Sequence, residues 1–183
     1  MPSEETPNPA TAAAPNAWTG RDVAEILREQ GWLLADVSPA QFAWCERAAA
    51  LLGPQVSDRR SLTDRLHLVF HYDACAILAN VESHAVLSRY AARDVVRRLA
   101  LVLLDGVPLT SERFKEVITV LKDLVGLRSR ELFHPIRLAL AGRAGGGDLD
   151  RVILLLDEAA ALSFVVPVKP ARERILEFCA ALD

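Results

Sequence analysis

The chain has 183 residues, of which 51% are apolar, and its 24 acidic and 21 basic residues leave a formal net charge of −3. That length suits one domain or two small ones with a proper core, and the near-neutral balance excludes indiscriminate coating of nucleic acid while leaving room for a local basic patch. Cys45, Cys75 and Cys179 lie far apart without a CxxC pair, so they read as buried or idle thiols in a reducing compartment.

Residues 1–19 begin MPSEETPNP and carry Pro2, Pro7, Pro9 and Pro15 among small and acidic residues. Such a stretch buries too little apolar surface to offset its ordering entropy, which predicts a disordered tail. It matches neither a secretory signal nor an Arg-rich transit peptide. The longest apolar run, Leu99 to Leu104, is far short of a membrane span. A soluble, cytoplasmic protein without membrane contact is expected.

"RDVAEILREQG" puts Val23, Ile26 and Leu27 on one helical face and stops at Gly31. "SPAQFAWCERAAALLG" opens with Ser38 as N-cap and Pro39 at the first helical position, and it stops at Gly53. Its inner face would hold Phe42, Cys45, Ala49 and Leu52. After a polar break, "SLTDRLHLVFHYDACAIL" spaces Leu62, Leu66, Val69, Phe70 and Ile77 as one helix. "HAVLSRYAARDVVRRLALVLLDG" repeats the pattern with Leu87, Tyr90, Ala91, Val95, Leu99, Val102 and Leu103 and ends at Gly106. "TSERFKEVITVLKDLVG" carries a continuous stripe from Phe114 to Val125. Helices over 129–141 and 148–162 follow, and a last one after Pro170 uses Ile175, Leu176, Phe178 and Cys179. Phe164 to Val168 is the one strand candidate, and it is short. The prediction is an all-α, multi-helix bundle in two small helical subdomains, residues 20–109 and 110–183.

Two clusters stand out on these helices. His67, His71 and Cys75 fall at i, i+4 and i+8, where imidazole and thiolate on one face are competent to ligate a metal. No fourth ligand accompanies them, so a helix flank passing a neighbour is the expected reading and no metal is assigned. Arg89, Arg93 and Arg97 repeat the same spacing beside Arg98, with Asp94 as the acid nearby, and such a stripe either follows a phosphate backbone or is a solvated face.

Gly145, Gly146 and Gly147 form a loop between two helices. Phosphate cradles instead follow a strand, and the Walker type needs a Lys with Ser or Thr. Asp148 after the glycines suits an N-cap and repels phosphate. No nucleophile elbow or paired acid and base is present. A non-enzymatic chain with no cofactor is expected.

"FKEVITVLKDLVGLRSRELFHPIRLALAGRAGGGDLDRVILLL" resembles the C-terminal anticodon-binding region of bacterial glutamyl-tRNA synthetases. The matching pieces are Leu132-Phe133, Pro135-Ile136-Arg137, Ala139-Leu140-Ala141-Gly142 and Gly146-Gly147-Asp148-Leu149. "RRSLTDRLHLVFH" upstream is similar to a further family segment, and the likeness covers about residues 40–165. It implies that the Pro-x-Arg helix and the loop after it face the anticodon of tRNA, tRNA-Glu in that family. Glycines there would let splayed bases approach the main chain, and an arginine would supply a planar donor.

Arg137, Arg143, Gly146, Gly147 and Leu149 are the positions this resemblance assigns to RNA. Arg128 joins them, because residues 126–151 hold five Arg against three acids. Arg93 and Arg97 would follow the backbone. The family threonine is Ala141 here, and its proline is Gly147, so the loop should be less preorganised. No aromatic sits in the loop. HIGH-like and KMSKS-like motifs are absent, so the resemblance implies a stand-alone, non-catalytic tRNA-binding accessory or regulator, with a synthetase catalytic subunit as a candidate protein partner and no DNA binding. The alternative is a helical protein–protein interaction module that kept the fold and lost RNA.

Overall fold

The computed structural model describes residues 17–183, so the expected tail lies outside the described residues except at 17–19. Eleven α-helices follow in order among them: α1 Gly20–Glu29, α2 Pro39–Leu52, α3 Arg59–Phe70, α4 Ala74–Leu78, α5 Val81–Leu87, α6 Ala92–Leu103, α7 Ser111–Val125, α8 Ser129–Ala141, α9 Asp148–Ile153, α10 Leu156–Ala160 and α11 Ala171–Leu182. The protein is all-α, with no strand among the described residues. The strand candidate at 164–168 is a loop whose Val165 amide donates to the Trp32 carbonyl.

Local chemistry sets most helix ends. Thr19 with Asp22, and Ser38 with Gln41, form reciprocal capping boxes at the starts of α1 and α2. Gly126 and Gly142 close α7 and α8 in the left-handed conformation, with φ of 68° and 79°. Three stretches that read as single helices are broken. The first stops at Phe70, because His71 is extended and the Asp73 side chain caps a new start at α4 by accepting from the Ala76 amide. Between the two, the Tyr72 hydroxyl donates to the Ala139 carbonyl at 2.5 Å. The second breaks over residues 88–91, where Ala91 adopts φ 56°. The third divides into α9 and α10.

α8 lies at the centre. Leu132, Ile136, Leu138, Ala139, Leu140 and Ala141 are buried along it, and it packs against α5, α6, α9 and α11. α1 packs on α2, while α2 and α3 reach α9. One buried apolar cluster runs from Val23 to Phe178 and draws on residues before and after position 109. Trp44, which the inner-face reading of α2 omitted, is fully buried and donates its indole N–H to the Leu155 carbonyl, whereas Phe42 is half-exposed. Tyr90, read as part of an apolar stripe, is 89% exposed.

Arg174 on α11 is fully buried. Its guanidinium donates to the carbonyls of Leu68, Val69, Leu140 and Lys169, and it lies 4.7 Å from the Tyr72 ring centroid. It thereby serves carbonyls in the last turns of α3 and α8, which have no partner within their own helices. Burial lowers its pKa to about 10.

Candidate nucleic-acid interface

Gly142 ends α8 and starts the bend that leads into α9. A Cβ at Gly142 would sit 3.2 Å from Ile77 Cδ1, and one at Gly145 would sit 2.9 Å from Leu149 Cδ1, so packing explains both glycines. Gly146 and Gly147 differ. Both are exposed, neither has positive φ, and a Cβ on Gly147 would meet nothing nearer than Arg137 Nη2 at 3.8 Å. Little in the fold demands a glycine at 147. The two residues present bare main chain to solvent, beside an exposed Arg143.

Arg137 does not join that surface. It is buried, and its Nε and Nη2 donate to the two carboxylate oxygens of Asp150 at 2.7 and 2.8 Å. Its Nη1 donates to the Gly145 carbonyl at 3.0 Å, and the group lies 4.9 Å from the Phe133 ring centroid. The fork of the guanidinium matches the carboxylate in a bidentate pair, which fixes the bend against α9. In this arrangement all three guanidinium nitrogens are engaged within the protein. The clamp supplies an order that the loop's missing proline does not. Leu149 is likewise internal, 1% exposed in the core, because the first turn of α9 packs inward. Gly147, not Asp148, occupies the N-cap position. Asp148 pairs with Arg65 at 2.5 Å.

These pairings engage most of the charged groups at the bend. Asp148 and Asp150 are each matched by an arginine, and Arg151 leans towards the Leu51 carbonyl. Arg143 remains as the exposed cation of the bend. Arg128 is exposed at the other end of α8, about 20 Å away by the rise of the helix. It lines a cleft of about 540 Å³ with Lys122, Asp123, Gly126, Ser129 and Phe133.

The arginine stripe is also reorganised. Arg89 falls in the turn before α6, so Arg89, Arg93 and Arg97 do not share one helix face. Arg97 pairs with Asp183 at 2.8 Å, and Arg98 pairs with Asp94 at 2.8 Å. Arg93 is exposed and lies outside both pairs. The spacing of His67, His71 and Cys75 fails as a ligand set for the same reason. Only His67 is on α3, His71 follows its end, and Cys75 belongs to α4. The two imidazoles instead stack at 4.0 Å with an interplanar angle of 7°, and among the described residues no group of three or more His, Cys, Asp or Glu is placed to hold a metal. Burial, then His71, then Arg143 hold the His67 pKa below its usual value.

Sequence reasoning missed the turn at 88–91 and its partner His134. Arg89 Nη1 lies 3.0 Å from His134 Nδ1. A guanidinium can only donate, so Nδ1 accepts and the ring is neutral. Burial, then Arg89, Arg137 and Arg130, hold the His134 pKa below its usual value, with Glu82 opposing them. Contact across 45 residues left no local spacing signal that could have revealed the pair.

Comparison with known proteins fits this architecture. Residues 19–163 match a family described as anticodon binding domain. Glutamate–tRNA ligase 2 of Syntrophus aciditrophicus is 26% identical over 123 residues, covering 67% of this chain and 25% of that protein. Glutamate–tRNA ligase of Geobacillus stearothermophilus is 28% identical over 130 residues, covering 71% and 26%. That of Desulforamulus reducens is 22% identical over 138 residues, covering 75% and 28%. The chain thus spans about a quarter of the length of these relatives. No solved structure matches it. No helix among the described residues is long and apolar enough to cross a membrane. With the family matched across most of its helices, the chain belongs to the anticodon binding domain family.

Proposed function

We propose that this chain binds tRNA as an accessory or regulatory module and does not itself activate an amino acid. The observation that carries the reading is the bare main chain of Gly146 and Gly147 beside exposed Arg143, in a member of an anticodon-binding family. A splayed base can approach glycine main chain more closely than any side-chain-bearing loop allows, and a guanidinium offers forked donors to a base edge or phosphate. Arg137 acts one step back, holding Gly145 and Asp150 so that the bend keeps its shape. Arg128 and Arg93 lie further along the same RNA as backbone contacts, and Arg97 contributes once its pairing with Asp183 is exchanged for a phosphate.

The relatives' printed names make tRNA-Glu the first RNA to try, and a synthetase catalytic chain the first protein partner. Filter binding of tRNA at low salt tests the reading. Arg143→Glu is expected to weaken retention roughly tenfold, and log affinity should fall linearly with log salt. Absence of any tRNA retention at low salt would refute it. A protein-interaction role is favoured by one observation, the exposed apolar residues Leu101 of α6, Leu104 just after it, and Val120 and Leu124 of α7; in that case a protein partner co-purifies and no nucleic-acid absorbance accompanies it.

A further inference from the structure

The turn joining α5 to α6 displays an aromatic ring that the core does not use. Tyr90 is 89% exposed, between buried Leu87 and buried Ala92. The next residue, Ala91, sits at φ 56°. A residue with a Cβ is held there at a cost of about 1 kcal/mol, and strain of this kind is retained where the surrounding structure over-determines it. Arg89 immediately precedes the ring and is braced against His134 Nδ1 at 3.0 Å. Arg93 follows it at the start of α6, exposed and outside the ion pairs that hold Arg97 and Arg98. Arg130, exposed on α8, acts with Arg89 on the titration of His134, and Glu82 opposes them.

A flat ring in open solvent, with one arginine just before it in the chain and another three residues after it, suits an unpaired nucleotide. The base stacks on the ring whatever its identity, and the flanking phosphates meet the cations. We propose that Tyr90 stacks one unpaired base of the bound RNA while Arg89 and Arg93 hold the adjoining phosphates, a contact separate from the glycine bend. α8 connects the two contacts, since His134 on it braces Arg89 and its C-terminal end leads into the bend. The aromatic platform lacking in the loop itself is thus provided from a different element. The inference rests on the tRNA-binding reading above.

Fluorescence anisotropy with a labelled tRNA anticodon stem-loop tests it on the full chain. Tyr90→Ala is expected to weaken binding about tenfold, with an unchanged melting temperature because the ring is outside the core, while Tyr90→Phe stays within twofold of wild type. Arg93→Ala should lower the slope of log affinity against log salt by about one. If Tyr90→Ala binds as wild type does while Arg143→Glu is weakened, the turn is no RNA contact and the glycine-bend reading stands alone. If Tyr90→Phe loses as much as Tyr90→Ala, the hydroxyl and not the ring matters, and stacking is overturned. If the wild type does not bind the stem-loop at all, both readings fall.

Discussion

Replacing Arg137 by alanine separates a residue that shapes the bend from one that touches RNA. The side chains of Arg137 and Asp150 are 11% and 22% exposed, and two hydrogen bonds of 2.7 and 2.8 Å join them. Removing the guanidinium strands the Asp150 carboxylate in a mostly dry site and leaves the Gly145 carbonyl without its donor. Breaking a buried pair from one side costs about 3–5 kcal/mol, and the part of Asp150 still in water trims that to about 2–3 kcal/mol. At this chain length, that is a fall of about 5–10 °C in melting temperature. Calorimetry or thermal circular dichroism reads it. Arg137→Lys should recover little, since a point ammonium cannot reproduce the two-pronged contact. A double-mutant cycle with Asp150→Ala should return a coupling of about 1 kcal/mol or more. An Arg137→Ala protein that melts within about 1 °C of wild type, yet binds tRNA tenfold more weakly, would show that the residue spends its donors on RNA and that the clamp is incidental.

Leu149→Ala opens a cavity in the core and is expected to lower stability by about 2–5 kcal/mol in chemical denaturation; a loss below about 0.5 kcal/mol would mean that the side chain faces solvent. The glycines should sort by geometry. Gly142→Ala places a Cβ at φ 79° and 3.2 Å from Ile77, costing about 1–2 kcal/mol, whereas Gly147→Ala is neutral to within about 0.5 kcal/mol in stability while still weakening tRNA binding. Equal melting temperatures for the two variants would contradict this. The depressed pKa of His134 means that the folded state binds fewer protons than the unfolded chain, so its stability contribution is complete above the ordinary value of 6.5 and is lost as pH falls through the folded value. Proton NMR titration should give a midpoint below 6.5 for His134, and the melting temperature should fall as the pH drops below the ordinary value, less steeply in His134→Gln. A midpoint at or above the ordinary value would break the link to Arg89.

Helix type and many boundaries were readable from the chain, because they depend on neighbours a few residues away. Ser38 with Gln41, Thr110 before α7, and Gly126 and Gly142 after α7 and α8 act through hydrogen bonds or backbone angles that local sequence specifies. The breaks at His71 and Ser88 were not legible, since the apolar spacing continues across both. At the first break the contacts are distant, Tyr72 reaching Ala139 and Arg174 reaching Leu68 and Val69. The same distance hid the fate of the basic residues. Arg137 and Arg143 look alike in sequence, and only the packing of α9 turns one inward onto Asp150 and leaves the other in water. Family likeness located the bend, but it could not say which guanidinium is occupied.

Arg174 also bears on where this unit can be cut. The shared family region closes at residue 163, whereas this guanidinium, eleven positions further on, is what satisfies carbonyls at the ends of α3 and α8. A fragment trimmed to the family boundary would lose its keystone, taking the donor from those oxygens and uncovering the apolar surface on which Ile175 and Phe178 pack. The minimal portable piece therefore includes α11, and grafting the bend onto another scaffold means carrying that helix along.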